Sequence, residues 1–262
     1  MLSQRIRAGG GLGDALYLQS VVRHLVNSGN TNLEVCTKWE DVFLPLQGKI
    51  KLAPFSREKI DILAHYTRRK HLLTKQFDDS CIIAGINEPV ELKLDWLGRN
   101  SDFVKKIKLS KKPNLAVLTY RYPMDRADGF AEELLPSLKV FNYCLSILQN
   151  HFNIVLVGAG EALADYSYYD IDFRNQTTVR DLIDIVSKCD AVFSYCSFMV
   201  PLAESLNKKA LFCWSRKGLR SSTEYIKQIT PEKILHKNSS SYIVDNWDVD
   251  KMEDTLNEFI CK

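Results

Sequence analysis

The chain has 262 residues, 45% of them hydrophobic and 26% charged, which is typical of a soluble globular protein with room for two modest domains. It has no run of 18 or more apolar residues, so no membrane-spanning helix is expected, and its polar start is unlike a signal peptide. The seven cysteines lack paired spacing, which indicates reduced thiols and neither a disulfide framework nor a zinc site. The net charge of +3 neither demands nor excludes a polyanionic partner.

The first half of the chain alternates short strands with helices. A first strand is followed by four glycines between Gly9 and Gly13, and then by a helix with apolar residues at helical spacing. Further strands are predicted over 32–37 and 80–84. A segment with five lysines, 105–112, ends at Pro113 and predicts a domain boundary.

The second half repeats this alternation with longer apolar runs. The predicted strands cover 115–119, 152–158, 191–194 and 209–214, and the predicted helices cover 131–150, 178–188 with Thr178 as N-cap, 201–206 and 250–260. Strands that are apolar throughout are typical of parallel sheets covered by helices on both faces. The sequence therefore predicts an α/β fold.

The glycine-rich stretch ends in a single carboxylate, Asp14. Glycines at the start of a helix let a ligand approach the backbone closely, and the first turn of the helix offers N–H groups to it. An acid at this position has two interpretations. Asp14 is either a capping carboxylate of the helix or a catalytic base that faces the ligand.

Ligands of open parallel sheets bind beyond the carboxyl ends of the strands. At those ends the predicted strands of the second half carry residues suited to a sugar diphosphate. Arginines would neutralise the diphosphate, although loop arginines are often simply solvated. Serines would donate to it, although a serine before a helix is often only a cap, and glycines after a strand often serve only the turn. The candidates are Thr119, Arg121, Arg126, Gly158, Gly160, Glu161, Ser194, Cys196 and Ser197.

Three stretches resemble the heptosyltransferase-like glycosyltransferases. Residues 172–182 are similar to the D-L-R-G-K-T-S-L-R-E-L segment of that family, and residues 190–203 align without gaps on its D-L-V-V-G-N-D-S-G-P-M-H-L-A segment. Residues 11–14 are similar to its N-terminal G-x-G-D loop, whose aspartate is the family's catalytic base. The order and spacing of the three stretches carry the resemblance.

The resemblance implies a GT-B fold, with two Rossmann-like domains whose parallel sheets face a central cleft. The expected domains are 1–110 on the acceptor side and 111–249 on the donor side, with a C-terminal helix at 250–262 that packs back on the first domain. Asp14 would be the base, and Gly11, Gly13 and Thr177 would join the candidates above in binding the donor.

The chain departs from the family pattern in the second stretch. Cys196, Phe198 and Pro201 stand where the family has aspartate, glycine and histidine. Those positions help to hold the donor nucleotide in the family, so donors other than ADP-heptose stay open. The chain is also shorter than typical members, which indicates an altered acceptor side.

The implied function is an inverting, metal-independent transfer of sugar from a nucleotide-diphosphate donor, without a further cofactor, in a bacterial or virus-infected cytoplasm. The acceptor is either a lipopolysaccharide-type sugar or a hydroxymethylated DNA base. Arg68, Arg69 and Lys70 form a basic cluster that is either an acceptor contact or a solvated face. Two other classes stay open, a nucleotide-sugar epimerase and a non-catalytic nucleotide-binding module. A dehydrogenase is disfavoured because the glycine loop lacks the full GxGxxG spacing.

Overall fold

The structure of the protein is a computed structural model, and it describes residues 4–56, 59–66, 74–96, 98–99, 101–107, 111–119, 137–159, 168–214, 230–236, 240–245 and 248–262. The strands are β1 (Gln4–Arg7), β2 (Leu33–Thr37), β3 (Lys51–Pro54), β4 (Ile62–Leu63), β5 (Asn114–Leu118), β6 (Asn153–Val157), β7 (Ile171–Asp172), β8 (Ala191–Tyr195), β9 (Lys209–Trp214) and β10 (Ser241–Asp245). The helices are α1 (Leu12–Asn27), α2 (Gln76–Ile83), α3 (Asp102–Lys106), α4 (Leu138–Leu148), α5 (Val179–Lys188), α6 (Met199–Ser205), α7 (Pro231–Ile234) and α8 (Val249–Cys261), with a 3-10 helix at Glu40–Leu46.

The chain divides into two compact units. The first comprises Met1–Leu97 together with Glu224–His236, and the second comprises Gly98–Thr223 together with Lys237–Lys262. The division between the units therefore precedes the lysine-rich segment at which the sequence placed its boundary, and the chain returns to the first unit near its end. Among the described helices, none has the length and apolar character needed to cross a membrane.

The first unit is built on a parallel sheet with the strand order β3-β2-β1-β4. The chain leaves β1 towards β2 and β3 on one side and then returns to place β4 on the other side, so the topology reverses between β1 and β4. Ligands of open α/β sheets bind outside the carboxyl ends of the strands at such a reversal. Helix α1 follows β1 and buries the face that carries Leu16, Leu18, Val21 and Val22.

The second unit is built on a parallel sheet with the order β10-β9-β8-β5-β6-β7. This is the doubly wound order of a Rossmann fold, and it reverses between β5 and β8. Residues of β5 and of Ile154–Val157 in β6 are buried throughout, because helices cover both faces of the sheet.

The C-terminal helix α8 belongs to the second unit. Its residues Met252, Leu256 and Phe259 are buried at helical spacing and join the core formed by β5, β6, β8 and β9. The apolar stripe of this helix is therefore part of the second unit's core.

Two other expectations differ from the structure. The predicted strand at 80–84 is the second half of α2, in which Phe77 and Cys81 lie buried one turn apart. Strands β3 and β4 were not predicted, since β4 contains only Ile62 and Leu63 and offers no alternating pattern. The predicted strands at 115–119, 152–158, 191–194 and 209–214 are confirmed within a residue or two.

Candidate functional site

The glycine loop between β1 and α1 orients Asp14. Helix α1 begins after Gly11, and Asp14 occupies the third helical position, where its Oδ2 accepts a hydrogen bond from the Gly11 backbone N–H at 3.1 Å. This is one half of a capping box. Asp14 therefore does contribute to the start of the helix, and its carboxylate is held at the carboxyl end of β1.

His65 lies against the same carboxylate. It follows the end of β4, and its Nε2 is 3.3 Å from Asp14 Oδ1. The side chains of Asp14 and His65 are only 16% and 19% exposed. The two residues stand on either side of the point where the topology of the first sheet reverses, which is the expected ligand position in this fold.

Cationic and aromatic side chains surround this end of the first sheet. The Arg7 guanidinium and the Lys38 ammonium each lie 5.3 Å from the centre of the Phe55 ring. The indole N–H of Trp39 donates to the Gly10 carbonyl oxygen at 3.1 Å. These residues follow or end β1, β2 and β3, so this edge of the sheet carries positive side chains in cation–π contact with an aromatic ring.

Sequence reasoning found Asp14 but missed His65, Trp39 and Phe55. A lone histidine carries little information when the strand before it is two residues long. The signal that identifies His65 is topological, because β4 pairs with β1 and thereby brings the ends of both strands together.

In the second unit the structure brings together two predicted donor residues, Thr119 and Gly158. They directly follow the neighbouring strands β5 and β6. Gly158 has a φ of +123°, and a Cβ added there would overlap Thr119 Oγ1. The Thr119 side chain is buried, and its hydroxyl has no hydrogen-bond partner within the described residues. A buried hydroxyl without a partner at a strand end is suited to a ligand.

The last residues of β8 and the loop after it differ in exposure. Ser194 is fully buried and its hydroxyl donates to the Tyr195 carbonyl oxygen at 2.7 Å, so its side chain has an internal role in this conformation. Cys196 and Ser197 are partly exposed, and Ser197 Oγ accepts the Met199 backbone N–H at 3.2 Å. Desolvation of the sulfur by the surrounding protein, with a smaller contribution from Asp245, raises the pKa of the Cys196 thiol, so the side chain is neutral at pH 7.

Thr177 and Thr178 precede helix α5. Thr178 is the N-cap, and its hydroxyl accepts the Asp181 backbone N–H at 3.2 Å while Asp181 accepts the Thr178 N–H at 3.1 Å. The predicted cap at Thr178 is confirmed. Thr177 takes no part in this capping box, and the turn before it approaches Gly158, whose carbonyl accepts the Asn175 N–H at 2.9 Å.

Several predicted site residues lie outside the described residues. They are Arg121, Arg126, Gly160 and Glu161 on the donor side and Arg68, Arg69 and Lys70 on the acceptor side. Gly13 lies in the first turn of α1. Within the described ranges, no three side chains of histidine, cysteine, aspartate or glutamate are grouped as metal ligands would be.

No protein-family model matches the sequence, and no curated protein matches it. Solved structures match the fold. The chain is similar to ADP-heptose LPS heptosyltransferase II of E. coli, with 11% identity over 99% of this chain and 98% of that chain and a TM-score of 0.58. The fold is that of the heptosyltransferases.

Two further structures support this fold. A family 9 glycosyl transferase of Veillonella parvula DSM 2008 is 10% identical over 99% of this chain and 90% of its own, with a TM-score of 0.59. The iron-containing dodecameric glycosyltransferase TibC of enterotoxigenic E. coli H10407 is 12% identical over 81% of this chain, with a TM-score of 0.54. The chain spans only 58% of the length of TibC. The predicted GT-B class with two Rossmann-like domains on parallel sheets is confirmed, while function depends on the site residues.

Proposed function

We propose that this chain is an inverting glycosyltransferase that transfers a sugar from a nucleotide-diphosphate donor to an acceptor hydroxyl, with Asp14 as general base. The observation that carries this proposal is the position of Asp14 at the reversal point of the first sheet, with each carboxylate oxygen beside a different group. A carboxylate accepts about four hydrogen bonds. The Gly11 N–H and His65 therefore leave it with capacity to take a proton.

In the proposed reaction, the acceptor oxygen attacks the anomeric carbon from the side opposite the leaving group. The new carbon–oxygen bond forms while the bond from that carbon to the diphosphate oxygen breaks, and its electron pair leaves with the nucleoside diphosphate. Asp14 takes the proton of the acceptor hydroxyl. Attack from the opposite side inverts the anomeric configuration. A base within hydrogen-bond reach is typically worth about 10²–10⁴-fold in rate.

The second unit would bind the donor. Thr119 and Gly158 offer a buried hydroxyl beside backbone that lacks a Cβ, and both follow central strands of the Rossmann sheet. Ser197 and Cys196 would contact the donor across the β5–β8 reversal. The neutral thiol of Cys196 removes a negative charge from a position where the family has a carboxylate. Arg121 would neutralise the departing diphosphate, because a preorganised positive charge stabilises the negative charge that develops on the leaving group.

The acceptor would lie against the first unit. Arg7 and Lys38 give this edge positive charge, and Phe55 and Trp39 give it aromatic surface. That combination supports an acceptor with a phosphate or carboxylate near its hydroxyl. Both acceptor classes considered above meet this requirement, a charged glycan and a hydroxymethylated base within DNA. Transfer to DNA would weaken steeply with salt because phosphate contacts release counterions.

The donor can be identified without knowledge of the acceptor. The melting temperature of the protein would be measured with ADP-heptose, UDP-glucose, GDP-mannose and the corresponding nucleoside diphosphates. A ligand that binds only the folded state at 100 times its Kd adds about 2.7 kcal/mol to the free energy of unfolding. We expect one sugar nucleotide to raise the melting temperature more than the others do. If no sugar nucleotide or nucleoside diphosphate shifts it at millimolar concentration, the proposed function is wrong.

A further inference from the structure

Each carboxylate oxygen of Asp14 has its own partner, which a general base does not need in order to accept a proton. One oxygen, Oδ2, is fixed by the Gly11 N–H of the same loop, and the other, Oδ1, faces His65 from a strand end far along the chain. Two contacts at the two oxygens fix both the position and the rotation of a carboxylate. A single contact would leave the group able to swing.

The glycine loop leaves room for this pair. A Cβ added at Gly9 would lie 2.7 Å from Asp14 Cγ and 2.7 Å from His65 Nε2, which is inside van der Waals contact for both. A Cβ added at Gly10 would meet only the Phe55 ring at an ordinary 3.7 Å. The absence of a side chain at Gly9 is therefore specifically what lets Asp14 and His65 approach each other across the loop.

We propose that His65 is a positioning residue for Asp14, which it holds by a hydrogen bond from its Nε2–H to Asp14 Oδ1. This inference rests on the proposed role of Asp14 as the base. His65 keeps its own proton throughout the reaction, and Asp14 alone receives the proton of the acceptor hydroxyl. Misplacement of a reacting group by about 1 Å costs on the order of 10²-fold in rate, so a second anchor on the carboxylate matters for turnover.

Two substitutions separate the hydrogen bond from the packing of the ring. The His65 ring lies 4.5 Å from the Tyr66 ring, centre to centre. His65→Phe retains an aromatic ring beside Tyr66 and loses the donor. His65→Gln loses the ring and retains an N–H that reaches the position of the histidine Nε2. His24→Gln is the matched control, because His24 forms a histidine–carboxylate pair with Glu88 at 2.9 Å on the exterior of the same unit.

The rate of nucleoside diphosphate release would be measured for each variant with the sugar nucleotide that stabilises the protein. We expect His65→Phe to lower kcat roughly 10- to 100-fold with little change in KM for the donor. His65→Gln should recover most of the loss, and His24→Gln should equal the unmodified protein. Wild-type kcat in His65→Phe would overturn the inference. Equal losses in His65→Phe and His65→Gln would overturn it too, since a side-chain N–H donor at this position would then not restore the rate.

A second measurement needs no substrate. Long-range ¹H–¹⁵N NMR spectra of the labelled protein report which ring nitrogen of each histidine carries the proton, and His65→Gln assigns the His65 signals. We expect the proton of neutral His65 on Nε2 and a change of its signal in Asp14→Asn. A proton on Nδ1 with unprotonated Nε2 would refute the hydrogen bond. Loss of activity in Asp14→Asn combined with full activity in His65→Phe would refute this inference alone and leave the proposed function intact.

Discussion

Thr119 and Gly158 lie side by side, each directly after the carboxyl end of one of two neighbouring strands. The φ of +123° at Gly158 and the space that its missing Cβ leaves allow the Thr119 hydroxyl to sit there, buried and without a hydrogen-bond partner among the described residues. A buried donor without a partner costs the fold about 1–3 kcal/mol. That cost is understandable if the hydroxyl is used by a ligand.

Thr119→Val is therefore expected to leave the free energy of unfolding unchanged or to raise it by up to about 1 kcal/mol, because it removes an unsatisfied hydroxyl at nearly constant volume. The same change should weaken donor binding by roughly 2- to 10-fold, the worth of one hydrogen bond. Urea denaturation and a donor titration measure the two effects.

Thr37→Val is the matched control for stability. Thr37 is also buried, but its hydroxyl accepts the backbone N–H of Trp39 at 3.0 Å, so its replacement should lower the free energy of unfolding by about 1 kcal/mol. Equal destabilisation of both variants, with donor affinity unaffected in Thr119→Val, would contradict the role of the Thr119 hydroxyl in donor binding.

The two adjacent threonines before α5 should have separable roles. Thr178→Ala removes the N-cap and is expected to lower the free energy of unfolding by about 1 kcal/mol. Thr177→Ala leaves the capping box intact and should weaken donor binding with little effect on stability. Thermal unfolding with and without the donor distinguishes the two. An effect of Thr177→Ala on stability alone would remove Thr177 from the donor site.

The ion pair of Asp172 and Arg174 should make the free energy of unfolding of the second unit depend on pH in the acid range. Arg174 Nε donates to Asp172 Oδ1 at 2.9 Å, and this hydrogen bond holds the pKa of Asp172 below its ordinary value of 3.8. Because the folded-state pKa is the lower one, the pair stabilises the fold above the ordinary pKa. That stabilisation is lost as the pH falls through the lowered pKa.

Asp172→Asn should accordingly lower the free energy of unfolding by about 1 kcal/mol near pH 7 and by little once the pH is below both pKa values. Urea denaturation at a series of pH values measures this difference. Asp254→Asn, on the exposed side of α8, is the control and should show no such trend. A pH-independent deficit in Asp172→Asn would mean that packing, and not the ion pair, is responsible.

Much of the second unit could be predicted from sequence because its strands are continuous apolar runs, as in β5 and β6. The first unit was harder. Its strand β4 has two residues, and the start of α2 carries Asp78 and Asp79 before the apolar Ile82, a window too short to show helical spacing.

The residues of the candidate site also differ in whether the sequence alone could identify them. Asp14 could be predicted because the glycines and the helix that flank it are local in sequence. His65 could not, because its proximity to Asp14 arises only from the pairing of β1 with β4. Thr119 was predicted as a donor contact from its position at the end of a predicted strand. Its lack of a hydrogen-bond partner among the described residues became visible only in the structure, beside Gly158.

The transfer rate of Asp14→Asn decides whether Asp14 is the general base. Asparagine still accepts the Gly11 N–H, so the helix start should survive while the base is lost. We predict that kcat falls roughly 10²–10⁴-fold with donor affinity retained. Glu88→Gln, which removes a different histidine-paired carboxylate of the same unit, should keep the full rate. Wild-type turnover in Asp14→Asn would contradict the assignment of Asp14 as the base.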